Sequence, residues 1–177
     1  YYKKASENDD LYWSCFYKLA KTYALSSNWA EASVSFEKLL ERDPENSTLK
    51  ASLAYIMASN NELLEAKEIY EEIILENQEN QLYLENYISI LFSLEKEHQE
   101  KLKKKLNKQN KEDFKLSEDN FKYETTIRQQ IVVLKELFPQ SENINKFEKE
   151  FEALFNKKVI ESEVDGSETE DSSTSEN

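Results

Sequence analysis

Glycine, histidine and cysteine are nearly absent from this chain, with one residue of each among 177. A single glycine excludes the glycine-rich turns that bind dinucleotides or cradle phosphates, because both need several residues without a side chain in a short segment. One glycine and two prolines also leave few breaks in regular structure. This composition favours helix throughout.

The shortage of nucleophiles, bases and metal ligands argues against catalysis. Cys15 and His98 are the only residues of their types, and nothing in the sequence predicts that they meet. A structural zinc site takes about four cysteine or histidine ligands, more than this chain contains. We therefore expect no catalytic residue, no metal and no cofactor, and we interpret Cys15 as a helix-packing residue.

Long apolar runs and intramolecular disulfides are absent as well. No run reaches the roughly 18 apolar residues of a membrane-spanning helix, and a single cysteine suits a reducing compartment such as the cytoplasm or nucleus. The net charge is −13, and residues 161–177 contain seven acidic residues and no basic one. Such a charge distribution disfavours binding to nucleic-acid phosphates.

What the chain does contain is an internal repeat with a period of 34 residues. Small residues recur where two helices would cross closely, and larger apolar residues recur where neighbouring units would meet. The pairs that share this spacing include Leu19 and Leu53, Ala20 and Ala54, Ala32 and Ala66, and Phe36 and Tyr70.

This spacing resembles the tetratricopeptide repeat (TPR). The first full unit reads Phe16-x2-Leu19-Ala20-x2-Tyr23-x8-Ala32-x3-Phe36-x2-Leu39-x4-Pro44, and the second keeps the spacing but has Gln78 in place of the closing proline. The resemblance covers about residues 1–94 and 120–157. It implies an all-α, TPR-like α-solenoid of antiparallel helix pairs with a C-terminal capping helix, and a groove that binds partner proteins.

Residues that start or stop helices set the predicted element bounds. Asn28 and Glu31 form a predicted capping box, and Ser141 is a predicted cap for the last helix. The predicted helices cover 11–26, 29–42, 47–59, 62–76 and 142–157, and a further helix A starts at Gln81.

The third unit departs from the regular spacing. Polar residues follow Leu94, and an apolar face returns only at Ile127, Ile131 and Leu134, so we expect the third helix A to continue as a long charged helix. The predicted divisions are 1–10, the end of a truncated preceding repeat; 11–94, two repeats plus helix A of a third; 95–119, a charged lysine-rich insertion; 120–158, helix B of the third repeat and the capping helix; and 159–177, a disordered acidic serine-rich tail.

By the same resemblance, the A helices line the inner groove and carry recognition. Tyrosines there offer rigid contact area with a polar tip, which suits an extended or helical peptide of low charge. The alternative is a closed groove in which these residues pack on the protein's own helices. The predicted groove residues are Tyr17, Lys21, Leu25, Tyr55, Glu85, Asn86, Ser89 and Phe92.

One subclass of the family binds the acidic C-terminal peptides of heat-shock chaperones through a clamp of lysine, arginine and asparagine residues. Only one cation stands at the matching positions, so we exclude that ligand for these repeats, although repeats upstream could still supply a clamp. The matching positions hold Tyr17, Lys21, Ser52, Leu82 and Asn86.

Two charged segments offer another mode of recognition. The lysine run could contact RNA, an anionic membrane, an acidic protein segment or the chain's own tail, or remain a solvated helix face. Three tail serines, each three residues before an acid, fit the pattern of acidophilic kinases, and the alternative is a solubilising tail. The residues are Lys101, Lys103, Lys104, Lys105, Lys108 and Lys111, and Ser162, Ser167 and Ser173.

The sequence therefore predicts a non-enzymatic scaffold or adaptor in complex assembly, which binds a partner peptide or helix in the concave groove. The alternative is a chaperone-like or nucleic-acid-associated factor that binds its clients electrostatically. In that alternative the lysine-rich insertion and the acidic tail make the contacts.

Overall fold

The computed structural model describes residues 10–77, 79–107 and 121–155, without the side chains of residues 106 and 107. Within these ranges the chain forms seven helices and no strand. The predicted bounds 29–42 and 47–59 are confirmed, as are the predicted helix end at residue 76 and the predicted helix start at Gln81. The other predicted ends shift by one or two residues. The helices are α1 (Asp10–Leu25), α2 (Trp29–Arg42), α3 (Ser47–Ser59), α4 (Leu63–Glu76), α5 (Gln81–Asn107), α6 (Glu124–Leu137) and α7 (Ile144–Phe155).

Each helix packs on the next one along the chain, and α3 also contacts α5. Small side chains allow this close approach: Ala20 and Ala32 are completely buried between α1 and α2, and Ala54 and Ala66 between α3 and α4. Except between α5 and α6, short connections reverse the chain between neighbours. The fold is therefore the expected all-α solenoid of antiparallel helix pairs, with α7 as the C-terminal capping helix.

Helix α3 joins two parts of the apolar core. Its residues Leu53 and Ile56 pack with α1 and α2, whereas Ala51 and Ala54 belong to the cluster that continues through α7. The core is thus distributed unit by unit, as in other repeat proteins.

The third helix pair restores the repeat packing after the charged segment. Ile127, Ile131 and Leu134 of α6 are all completely buried, which confirms the predicted return of the apolar face. Helix α7 then packs on α6, and its residues Phe147 and Phe151 are buried at the end of the stack.

Helix α5 continues to Asn107, as the apolar stripe predicts, but its polar residues are not all solvated. Glu95 is completely buried, and its Oε2 accepts hydrogen bonds from the backbone N–H groups of Lys122 and Tyr123 at 2.9 and 2.8 Å. Gln99 donates to its Oε1 at 3.0 Å. Glu95, the first residue of the predicted insertion, therefore belongs to the packed part of the protein, because it anchors the chain that enters α6.

Two predicted helix caps are also wrong. Asn28 precedes α2 but makes no side-chain cap hydrogen bond, and Ser141 lies three residues before the first residue of α7. Asparagines cap two of the A helices instead. Asn46 accepts from the backbone N–H of Leu49 at 3.1 Å, and Asn80 accepts from that of Tyr83 at 3.3 Å.

Several sequence predictions lie outside the described residues. They are the preceding repeat up to residue 9, the two lysines Lys108 and Lys111, and the acidic tail with Ser162, Ser167 and Ser173. Among the described helices, none combines the length and apolar character needed to cross a membrane.

Candidate partner-binding groove

Helices α1, α3 and α5 present one side to a shared groove, because each is the first helix of its pair. The groove contains two cavities. The first, of about 370 Å³, is lined by residues of all three helices. The second, of about 200 Å³, lies between α3, α4 and α5. Tyr55, Tyr70 and Asn86 border both cavities, so the two form a continuous surface.

Large apolar side chains surround the first cavity without being covered. Leu25 of α1 is 85% exposed, Tyr55 of α3 is 55% exposed and Leu82 of α5 is 60% exposed. Apolar area of this kind gains free energy when a partner removes it from water. Three separate helices thus contribute to one uncovered apolar site.

Hydrogen bonds hold the groove wall in place. The buried Tyr70 hydroxyl donates to the backbone carbonyl of Ala51 at 3.2 Å and accepts from Asn86 Nδ2 at 3.0 Å. Burial raises the pKa of Tyr70 to about 12, although the hydrogen bond from Asn86 acts in the opposite direction. The phenol therefore stays protonated and ties α3, α4 and α5 together beneath the groove.

Lys21 is the one charged residue on the lining of the first cavity. Its Nζ lies 5.7 Å from the centroid of the Tyr17 ring. Within the described ranges of the chain, no carboxylate forms an ion pair with it. The groove is therefore apolar with a single positive charge.

The structure brings five of the eight predicted groove residues to the two cavities. Lys21, Leu25, Tyr55 and Asn86 line the first cavity, and Ser89 lines the second. Tyr17 is half-buried, packs edge-on against Phe36 with ring centroids 5.9 Å apart, and borders a separate cavity beside the start of α3.

Glu85 faces the protein's own chain and not the groove. Its Oε1 accepts from Ser141 Oγ at 2.6 Å and from Gln81 Nε2 at 2.7 Å, and its Oε2 accepts from Asn143 Nδ2 at 2.8 Å. Burial alone would raise the pKa of Glu85, but these three hydrogen bonds bring it below its usual value. Glu85 therefore anchors the connection between α6 and α7.

Phe92 is not a groove residue in this structure either. Its side chain is only 1% exposed, and its ring stacks on that of Phe147 with centroids 6.1 Å apart. The repeat spacing puts Glu85 and Phe92 on the inward side of α5, but it does not show that α7 and the preceding connection lie there.

Sequence reasoning missed Leu82 and Tyr83 as groove residues, although both line the first cavity. In the sequence, Leu82 stands at a position where the chaperone clamp would need a polar or charged residue. A leucine outside the buried stripe of an amphipathic helix is the signal that could have identified it.

The described part of the lysine run is partly neutralised within α5. Lys101 Nζ lies 2.8 Å from a Glu97 carboxylate oxygen, and Lys104 Nζ lies 4.0 Å from Glu100. Lys103 and Lys105 are exposed. Among the residues that can be described, no cluster of histidine, cysteine or acidic side chains is arranged to hold a metal ion.

Comparison with known proteins relates this geometry to one family. Residues 23–85 match a family model described as "Tetratricopeptide repeat". The crystal structure of a "putative protein binding protein" from Bacteroides ovatus is similar, with a TM-score of 0.57 and 14% sequence identity over 87% of this chain and 79% of that chain. A search of curated protein sequences gives no match.

Proposed function

We propose that this chain, whose residues 23–85 match the tetratricopeptide repeat family model, is a non-enzymatic scaffold or adaptor. It binds a peptide or helix of a partner protein in the groove between α1, α3 and α5. One observation carries the proposal: Leu25, Tyr55 and Leu82, from three helices, expose apolar surface around one cavity. The similar fold of the Bacteroides ovatus "putative protein binding protein" supports the same general role.

The dimensions of the groove suit a polypeptide segment. A volume of about 370 Å³ lies near the lower end of the roughly 300–1,000 Å³ of ligand pockets, so the first cavity accepts a large side chain as an anchor. The second cavity continues the surface past Tyr55 and Asn86. A segment anchored in the first cavity can therefore extend along the second.

Tyr55 is the residue from which we expect the largest contribution to binding. Its ring is exposed, borders both cavities and belongs to a residue type that is common among interface hot spots. Truncating such an anchor commonly costs about 2 kcal/mol, which is roughly a thirtyfold loss of affinity.

Selection from a displayed library of random peptides tests the proposal without knowledge of the natural partner. Peptides selected on the full chain should bind the double variant Tyr55→Ala/Leu82→Ala at least about thirtyfold more weakly in fluorescence anisotropy. Leu64→Ala is the matched control, because Leu64 is 53% exposed but lies on α4 outside both cavities. Unchanged binding by the double variant, or failure to select any peptide, would contradict the proposal.

A further inference from the structure

The last turns of α5 carry a group of exposed lysines. We call these residues the lysine surface: Lys101, Lys103, Lys104 and Lys105. Glu97 and Glu100 each lie near one of them, and the described part of α5 contains no acidic residue after Glu100. Helix α5 therefore balances only part of this positive charge by itself.

Helix α7 runs beside α5, in the same direction, toward the lysine surface. Phe147 stacks on Phe92 with ring centroids 6.1 Å apart. Farther along both helices, Glu150 Oε1 lies 2.5 Å from Lys96 Nζ. Lys103 follows Lys96 by about two helical turns, so it lies on the same face of α5 about 10 Å farther on. The face of α5 that contacts α7 therefore leads into the lysine surface.

The end of α7 lies close to the lysine surface. Helix α7 ends at Phe155, whose ring packs edge-on against Phe121 with centroids 5.0 Å apart. At about 1.5 Å per residue, Phe155 lies about 8 Å past Glu150, roughly level with Lys101 of α5. The chain that follows Phe155 therefore starts beside the lysine surface.

This following part of the chain has the complementary charge. Residues 161–177, the acidic segment, contain seven acidic residues and no basic one. Residues 156–160 connect this segment to α7, and fully extended they span at most about 17 Å. The acidic segment can therefore reach the lysine surface without any rearrangement of the described helices.

We propose that the acidic segment binds the lysine surface of its own chain. Because the segment is tethered at the end of α7, its effective concentration at this surface is on the order of 1 mM. A contact with a dissociation constant of about 1 mM is then formed in about half of the molecules. The inference concerns a surface separate from the groove and does not rest on the proposed function.

An external anion is a weaker candidate for the same surface. RNA or an anionic membrane has no tether, and the net charge of −13 repels it. The bound acidic segment also neutralises the lysines that such a partner would need. The contact therefore closes the lysine surface to external anions.

Paramagnetic relaxation enhancement in the full chain tests the contact. The chain has one cysteine, so Cys15→Ser combined with Ser167→Cys places a single nitroxide label in the acidic segment. At low salt the label should reduce the amide signals of residues 101–105 to below about half of their intensity without the label, because the contact is formed in about half of the molecules. The signals should recover in about 1 M salt, which screens charges beyond about 3 Å.

Charge variants show whether the lysine side chains are responsible. In the labelled chain, Lys103→Glu/Lys105→Glu should abolish the signal loss. Lys18→Glu/Lys21→Glu is the matched control, because it changes the net charge by the same amount at two exposed lysines of α1. The control should leave the signal loss unchanged.

A neutral tail separates binding from mere proximity. Replacing the seven acidic residues of 161–177 by their amides keeps the tether and the label but removes the charge. The signal loss at residues 101–105 should then disappear. If it persists, or if the two lysine variants behave alike, tethering alone brings the label close and the proposal is wrong.

Other occupants of the lysine surface, and other sites for the acidic segment, give different results. Signal loss at Leu82 and Asn86 instead of residues 101–105 would assign the acidic segment to the groove. Signal loss at residues 101–105 in an isotope-labelled chain without nitroxide, mixed with spin-labelled chain, would assign the contact to a second copy. Either result would overturn the proposed contact within one chain.

Discussion

The helix stack has an open half, the groove between α1, α3 and α5, and a closed half, in which α6, α7 and their connection cover α5. In the open half, Leu82 and Asn86 of α5 line the groove with α1 and α3. Further along, Phe92 is covered by α7. Ala24, Ala58 and Phe92 occupy the same position in successive repeats. Ala24 and Ala58 line open cavities, whereas Phe92 is buried. Equivalent repeat positions thus have different environments, depending on which helix lies next.

The closed half shows how apolar and charged side chains on the inward side of α5 are covered by the protein's own chain. An aromatic ring of α7 covers Phe92, and hydroxyl and amide groups of Ser141 and Asn143 satisfy the charge of Glu85. In the open half Tyr55 and Lys21 are the uncovered counterparts of such groups.

The largest expected effect tests whether the closed half is one packed unit. Leu134→Asp puts a charge at a completely buried position between α5, α6 and α7, and it should lower the free energy of unfolding by at least about 3 kcal/mol. Leu137→Asp, at a position that is 46% exposed on the same helix, should change it little. Equal melting temperatures of the two variants would mean that α6 is misplaced.

A second comparison sets the closed half directly against the open one. Phe92→Ala should cost about 3–5 kcal/mol of stability, because it leaves a cavity against Phe147. Tyr55→Ala should cost less than about 1 kcal/mol, since its ring is already 55% exposed. Urea denaturation measures both values, and a similar loss in the two variants would show that the groove is not open in solution.

Removing the buried carboxylate of Glu95, in the closed half, should have an intermediate effect on the free energy of unfolding. Glu95→Ala leaves the N–H groups of Lys122 and Tyr123 without their acceptor and should cost about 2–3 kcal/mol. Glu95→Gln keeps one acceptor oxygen and should cost less. Glu97→Ala serves as the control in urea denaturation, because it removes only a partly exposed ion pair with Lys101.

The smallest expected effect depends on pH. It concerns the hydrogen bonds between Glu85 of α5 and the connection between α6 and α7. Because its hydrogen bonds lower the pKa of Glu85 below its usual value, the ionised carboxylate contributes stability above that usual pKa. This contribution is lost as pH falls through the lower, folded-state pKa. Thermal unfolding of the unmodified chain and of Glu85→Gln should differ at pH 6. The difference should shrink toward pH 3, and a constant difference would exclude a contribution from ionised Glu85.

The repeat core could be predicted because its determinants are local and periodic. Ala32 and Ala66 recur at the spacing that a helix crossing requires, and Ile127, Ile131 and Leu134 restore one face of a helix after the charged segment. Leu25 and Tyr55, two of the predicted groove residues, line the first cavity. Periodicity reports which face of a helix a residue occupies.

Periodicity does not report which polar residues find distant partners. Glu95 accepts hydrogen bonds from backbone N–H groups 27 and 28 residues later in the sequence, and Glu85 accepts hydrogen bonds from Ser141 and Asn143. The sequence predicts that Glu85 faces a ligand in the groove and that Glu95 belongs to a charged insertion. Their burial depends on where the later helices return, which no local pattern encodes.

The hold of Glu95 on residues 122 and 123 has a practical consequence for protein engineering. Glu95 of α5 ties down the backbone at the start of α6, so the length of the segment between the two helices does not set the position of α6. Loop closure becomes only slightly less favourable as a segment lengthens. A reporter domain spliced between residues 108 and 120 would therefore leave the repeat packing and the groove in their present geometry.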